Sequence, residues 1–199
     1  MRSRRLYPYV PIELAAVCSA AFILLLIYLS DAGGRYTEPM GIQMPASTGF
    51  RCSIDGFGEG MILVGQGKVM LDLDNRIRRQ TLINMGKKHG MQFTAAELTQ
   101  FETIGVFGVP LAKLKPYLAA YKFEGAAFYA QQGIAISPQA NELGDWIASA
   151  NKAHVAMKER PIRMALLADY RTNSAQIKRV LDILVERKIH HVALVTDTK

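Results

Sequence analysis

From Leu14 to Ser30 the chain reads LAAVCSAAFILLLIYLS without one charged side chain, and no other feature limits its possible folds so strongly. A helix that is apolar on every side has no polar face to give to water, so it must be buried in a core or placed in a membrane. Extended back to Val10, with Glu13 near one edge, the run reaches about 20 residues, enough for a hydrocarbon core of about 30 Å. Tyr7 and Tyr9 lie at one end and Tyr28 near the other, where interfacial aromatics are expected. Arg2, Arg4 and Arg5 precede the run and Asp31 follows it. The positive-inside rule then predicts a cytoplasmic segment over 1–11, a membrane helix over 12–30 and the remainder on the far side. The alternative is a cleaved signal peptide, for which Ser30-Asp31-Ala32 is a tolerable context; against it, the apolar run exceeds the usual ~7–15 residues.

The remainder has the composition of one globular domain. The 199 residues are 50% hydrophobic and 21% charged, with a net charge of +7 spread along the chain. A diffuse basic excess favours anionic lipid head groups or an acidic partner. No zinc-finger spacing, RNA-binding aromatic signature or basic heptad helix points to nucleic acid. Of the two cysteines, Cys18 lies inside the apolar run and Cys52 well beyond it, so an intrachain disulfide is discounted and both are read as free. A Cys52 bridge between subunits is open if that segment is extracytoplasmic.

Residues 31–60, rich in Gly, Pro, Ser and Thr, read as a linker with at most a short strand at Gly41–Met44. Met61–Val64 and Val69–Leu73 flank Gly65-Gln66-Gly67-Lys68 and predict a β-hairpin. From Arg76 to Tyr121 the period becomes helical. Leu82, Met85 and His89 share one face of a first helix that stops at Gly90. Thr94 and Glu97 form a capping-box signature opening a second helix through Phe101 and Ile104. Gly105, Gly108 and Pro110 break the chain before a third helix with Leu111, Leu114 and Leu118 on one face. Gly133–Ile136 reads as a strand. Asn141–Ala153 reads as a helix with Leu143, Trp146, Ile147 and Ala150 at i, i+3, i+4 and i+7. Ile162–Ala168 reads as a buried strand. A helix capped by Asn173 or Ser174 follows, with an apolar stripe of Ile177, Val180, Leu181, Leu184 and Val185. His191–Val195 reads as a further strand. Strand, helix and strand this close predict a crossover joining two parallel strands.

Catalytic signatures are missing from the sequence. Gly60–Val69 lacks the first glycine of a phosphate loop, where Ile62 stands, and its magnesium hydroxyl, where Val69 stands. Asp72 and Asp74 alternate as in a calcium loop, but Arg76 follows and no ring-closing Glu is present. His190 and His191 are neighbours at a strand start, so their side chains point to opposite faces and do not share a metal. No nucleophile elbow occurs. The expectation is a protein that is not an enzyme and carries no metal or cofactor.

The order of a short basic N-terminus, one membrane helix, a Pro-containing linker and a small α/β domain resembles the ExbD/TolR family. The resemblance is most specific over 162–197. There Ile162–Asp169, Ile177-Lys-Arg-Val-Leu-Asp-Ile-Leu184 and Val192-Ala-Leu-Val-Thr196 resemble a strand closing on Ala-Asp, a V-x-x-V-M-D-x-L helix and a V-x-L-V-T strand. Gly41-Ile42-Gln43-Met44-Pro45 is similar to that family's short strand, a candidate for pairing with a partner subunit. Phe107-Gly-Val-Pro110 with its flanking helices, about 76–121, resembles the insertion of a longer variant. The implied fold class is α+β: a single transmembrane helix, then a small two-layer α/β periplasmic domain over 61–199. The implied function is that of a subunit in a proton-driven inner-membrane motor. Its partners would be an ExbB-like pentamer, a second ExbD-like chain and a TonB-like protein that opens outer-membrane transporters. The alternative is a TolR-like envelope-integrity subunit that binds peptidoglycan.

One position departs from that family. Its membrane helix carries an Asp just before an apolar run, where a buried carboxylate can take up and release a proton. Aligning Ala20–Leu26 on that run places Ser19 at the Asp position. A serine hydroxyl does not titrate usefully. Glu13, the nearby acid on the cytoplasmic side, lies about 9 Å along the axis and about 240° around it, and is read as snorkelling to the interface. A second, Asp-bearing chain is therefore expected beside this one.

Overall fold

The structure is a computed structural model and describes residues 12–31, 39–47 and 59–198. The chain divides into two compact units, Met1–Thr37 and Glu38–Lys199. In the first, helix α1 (Ile12–Asp31) exposes every described side chain from Leu14 to Leu29. Those side chains cover ~24 Å at ~1.5 Å per residue. Among the described residues no helix is long and apolar enough to cross a membrane.

The second unit is a mixed α/β domain. Its sheet holds β2 (Gly60–Gly65), β3 (Lys68–Leu73), β4 (Met164–Ala168) and β5 (Val192–Val195) in the order β3-β2-β4-β5. The hairpin is antiparallel, with Ile62 opposite Leu71. Gln66 and Gly67 close it at φ of 51° and 73°, the paired positive angles that a two-residue turn matching strand twist requires. β4 runs parallel to β2 on one side and to β5 on the other. A second ladder, two residues long, pairs β1 (Ala46–Ser47) in parallel with β6 (Asp197–Thr198).

Strand alternation sorts the sheet into two apolar faces. Ile62, Val64, Leu71, Leu73, Met164 and Leu166 point into the main core. That core is covered by α2 (Asn75–His89), α3 (Ala95–Thr103), α4 (Leu111–Ala120), α6 (Glu142–Lys158) and α7 (Ser174–Glu186). Trp146 lies at its centre, fully buried against Phe107 at 4.9 Å and Phe101 at 5.9 Å between ring centroids. Truncating such a ring costs ~3–5 kcal/mol. The opposite face carries Leu63, Met70 and Leu167, and a smaller set of side chains covers it, Met40 and Val106 among them.

Local chemistry explains the helix ends. Thr94 and Glu97 form the reciprocal capping box, the Thr94 N–H donating to Glu97 at 2.7 Å. Asp74, Asn141 and Asn173 each accept a backbone N–H at the start of α2, α6 and α7. Gly90 ends α2 in the left-handed region. A four-residue helix, α5 (Ala126–Tyr129), leads to Gln131. That buried side chain accepts from the Gly108 N–H and donates to the carbonyls of Val106 and Phe128.

Four expectations need correction. Gly133–Ile136 is not a strand: Gly133 has a φ of 92°, and the segment gives β3 one bond, Ile134 N–H to the Val69 carbonyl at 2.8 Å. With the Leu71–Phe107 bridge, that bond occupies the outer edge of β3. Gly41–Met44 is irregular, and the ladder begins after Pro45, which has no N–H to donate. His89 is exposed rather than in the core face of α2, because its ring lies 3.1 Å from Asp145 at the α6 start. In α7, Ile183 is buried, whereas Leu181 and Val185 are 39% and 62% exposed. They lie on the flank of the helix turned from the sheet. Cys52 and much of the linker fall outside the described residues.

Candidate functional site

Two features carry the sequence-derived positions, one in each unit. In α1, Ser19 is exposed and its hydroxyl donates to the Ala15 carbonyl at 2.9 Å, one turn back on the same helix. The hydroxyl is thus satisfied within its own backbone. Cys18 is free and exposed beside it. The backbone of Glu13 belongs to the first turn of α1; its side chain lies outside the described residues.

In the domain, residues 39–47 form a strap across the carboxyl ends of the parallel strands. Pro39 and Met40 are buried, and Met40 packs with Leu63, Met70 and Leu167 on the second sheet face. Three residues on, the strap is held by polar bonds. The Tyr170 N–H donates to the Gln43 carbonyl at 2.9 Å, and the Gln43 N–H approaches the Asp169 carboxylate at 3.5 Å. Gln66 reaches the Gly41 carbonyl from the hairpin turn, also at 3.5 Å. Ala46 and Ser47 then enter the ladder with β6.

The loop after β4 is shaped to receive this strap. The Asp169 N–H continues the sheet by donating to the Val64 carbonyl at 2.9 Å, and Asp169 Oδ1 accepts the Arg171 N–H at 2.8 Å. The Thr172 hydroxyl donates to the same Val64 carbonyl, and Asn173 caps α7. Tyr170 is therefore fixed in place before it meets Gln43. Gly65, at the end of β2, is needed for the close approach. A Cβ there would lie 3.3 Å from the Asp169 Cβ and 3.5 Å from the Met40 sulfur. Beside the strap lies a cavity of about 520 Å³ bordered by Ile42, Gln43, Gln66, Asp169, Arg171 and Gln176.

The partner-strand candidate Gly41–Pro45 thus lies against its own domain. Sequence reasoning placed it in the linker but did not find its anchors, Met40 and the Asp169–Tyr170 clasp. The available signal was the apolar trio Met40, Ile42 and Met44 beside the Gly and Pro residues of the linker. The structure buries Met40 and leaves Met44 41% exposed.

No activated nucleophile sits at the strap. Among the described residues no group of three or more His, Cys, Asp or Glu could hold a metal. His190 and His191 are both exposed. A partly buried titratable cluster lies elsewhere, around Glu59. The Glu59 carboxylate is gripped by both terminal nitrogens of Arg160 and accepts the Arg163 N–H at 2.9 Å. His154, buried, lies 3.4 Å away and bonds the Arg160 carbonyl through Nδ1. Burial pushes the Glu59 carboxyl up, but the Arg163 N–H, Arg160 and His154 together hold it below its ordinary value. These bonds close the α6–β4 connection onto the start of β2, a structural role.

No protein-family model, curated protein or solved structure matches this chain.

Proposed function

We propose that this chain is a non-enzymatic, single-pass subunit of a proton-driven motor of the ExbB–ExbD type in a bacterial inner membrane, with its domain in the periplasm. The observation that carries the reading is the pairing of a charge-free run, Leu14–Ser30 within α1, with a domain whose strap begins a few residues later. The α1 backbone runs for 20 residues from Ile12 to Asp31. That is ~30 Å of helix at ~1.5 Å per residue. A force applied to α1 reaches the domain through the chain, and among the described residues Met40 and Gln43 fasten the strap to the sheet. Ser19 stands where the resemblance calls for a proton-carrying Asp, so the titrating carboxylate belongs to a second chain. The energised output is outer-membrane transport through a TonB-like partner.

The test is uptake. Deleting the gene should abolish proton-gradient-dependent uptake of a ligand that is too large for the porins, and the intact chain or a Ser19→Ala variant should restore it. Unchanged uptake in the deletion strain, with a fragile envelope instead, would overturn the transport reading in favour of a TolR-like role.

A further inference from the structure

A basic groove lies between the C-terminal half of α2 and the middle of α6. Its cavity is about 380 Å³ and is bordered by Asn84, Lys87, Lys88, Ser149 and Lys152. Asn84 fixes the floor: its amide donates to the Ser149 carbonyl at 3.1 Å, tying the two helices together.

The charge around this groove is unbalanced. Lys88 pairs with Asp145 at 2.5 Å, but the same carboxylate also takes His89 at 3.1 Å and Arg187 at 3.3 Å. Lys87 and Lys152 are exposed and have no ion-pair partner among the described residues. Helical spacing explains why. The residues three and four away from Lys87 are Ile83, Asn84, Gly90 and Met91; those around Lys152 are Ala148, Ser149, Val155 and Ala156. None is acidic. Lys87 can be read as complementing the negative end of α2. Lys152 cannot, since it lies one and a half turns inside α6. Crowding like charges along a concave wall costs energy in the free protein and concentrates counter-ions there.

We infer that this groove is a binding site for a multivalent phosphate-type oxyanion, held by the ammonium groups of Lys87 and Lys152 with Lys88 at its edge. Free phosphate esters and phospholipid head groups share that chemistry.

The probe is inorganic pyrophosphate, measured by equilibrium dialysis against the full-length chain in an uncharged detergent. One saturable site per chain is expected. A Lys87→Gln/Lys152→Gln variant should bind at least about ten-fold more weakly, since it loses two charge-assisted contacts. A Lys122→Gln/Lys178→Gln control, which removes the same charge from exposed positions that do not border the groove, should bind within about two-fold of the native chain. The near-ultraviolet signal of buried Trp146 reports that each variant is folded. Absence of saturable binding, or an equal loss in the control, would overturn the site. Lysine acetylation in nanodiscs identifies the source. Protection of Lys87 and Lys152 by anionic phosphatidylglycerol alone assigns a head group, and protection only on adding pyrophosphate assigns a free oxyanion. Either result sustains the groove.

Discussion

The Tyr170 amide donates to the Gln43 carbonyl at 2.9 Å across 127 residues of sequence, and this bond fastens the strap to the end of the sheet. Tyr170 is presented by a loop already fixed through Asp169 and Thr172 to Val64. Met40, three residues before Gln43, supplies the apolar half of the same attachment.

The strap should loosen when its plug is cut back. Met40→Ala removes a nearly buried side chain from the smaller cluster. The expected cost is ~2 kcal/mol, the low end for such truncations, because the strap can lift without unfolding the main core. Amide exchange at Tyr170 should rise roughly thirty-fold, with a much smaller change at Leu63 and Leu166 in the sheet. Hydrogen exchange resolved by residue checks this. Uniform acceleration throughout the domain would contradict a local attachment.

Glu59 makes stability depend on acid. Its carboxyl is held below its ordinary value in the folded domain, so it binds a proton less readily there than in the unfolded chain. The stabilisation is complete above the unfolded value near 4.5 and is lost as pH falls through the lower folded value. Glu59→Gln should cost ~1–3 kcal/mol at neutral pH by removing charge-assisted bonds to Arg160 and the Arg163 amide. The difference from the native chain should shrink below about pH 4, where the unfolded carboxyl protonates. Urea unfolding as a function of pH measures both effects.

Tyr117 carries a hydroxyl that is buried and has no hydrogen-bond partner among the described residues. Burial raises its phenol well above the ordinary value, with Tyr121 adding to the rise. Its ring packs against Tyr121 at 5.6 Å between centroids. Tyr117→Phe keeps the ring and removes the orphaned hydroxyl, so it should stabilise the domain by up to ~1 kcal/mol. A melting-temperature comparison tests this, and a clear loss of stability would reveal a partner for the hydroxyl.

Much of the domain was legible because local signals agreed. The Thr94–Glu97 box, the Gln66-Gly67 turn, the Gly90 stop and the Trp146 face each combine a cap or turn residue with the matching period. The failures came where period alone had to choose. In α7 the rows through Ile177, Val180 and Leu184 and through Leu181 and Val185 are both apolar. Only the width of the sheet decides between them: β5 is the last strand of the sheet, and Leu194 on it is itself 58% exposed. Gly133–Ile136 has strand-like composition, yet Gly133 turns the backbone so that the segment can only touch β3. The strap was the least legible part. Its clasp, Asp169 and Tyr170, lies more than a hundred residues away in sequence, and a buried Met40 looks no different from an exposed Met44 until the sheet beneath it is known.

The partners recovered with the native chain test the central claim most directly. The tagged full-length chain is extracted in mild detergent, and its partners are identified and counted by mass spectrometry. The account predicts an ExbB-like pentamer together with a second ExbD-like chain whose membrane helix carries the carboxylate that Ser19 lacks. A working complex containing only this chain and the pentamer, or recovery of this chain alone, would contradict it.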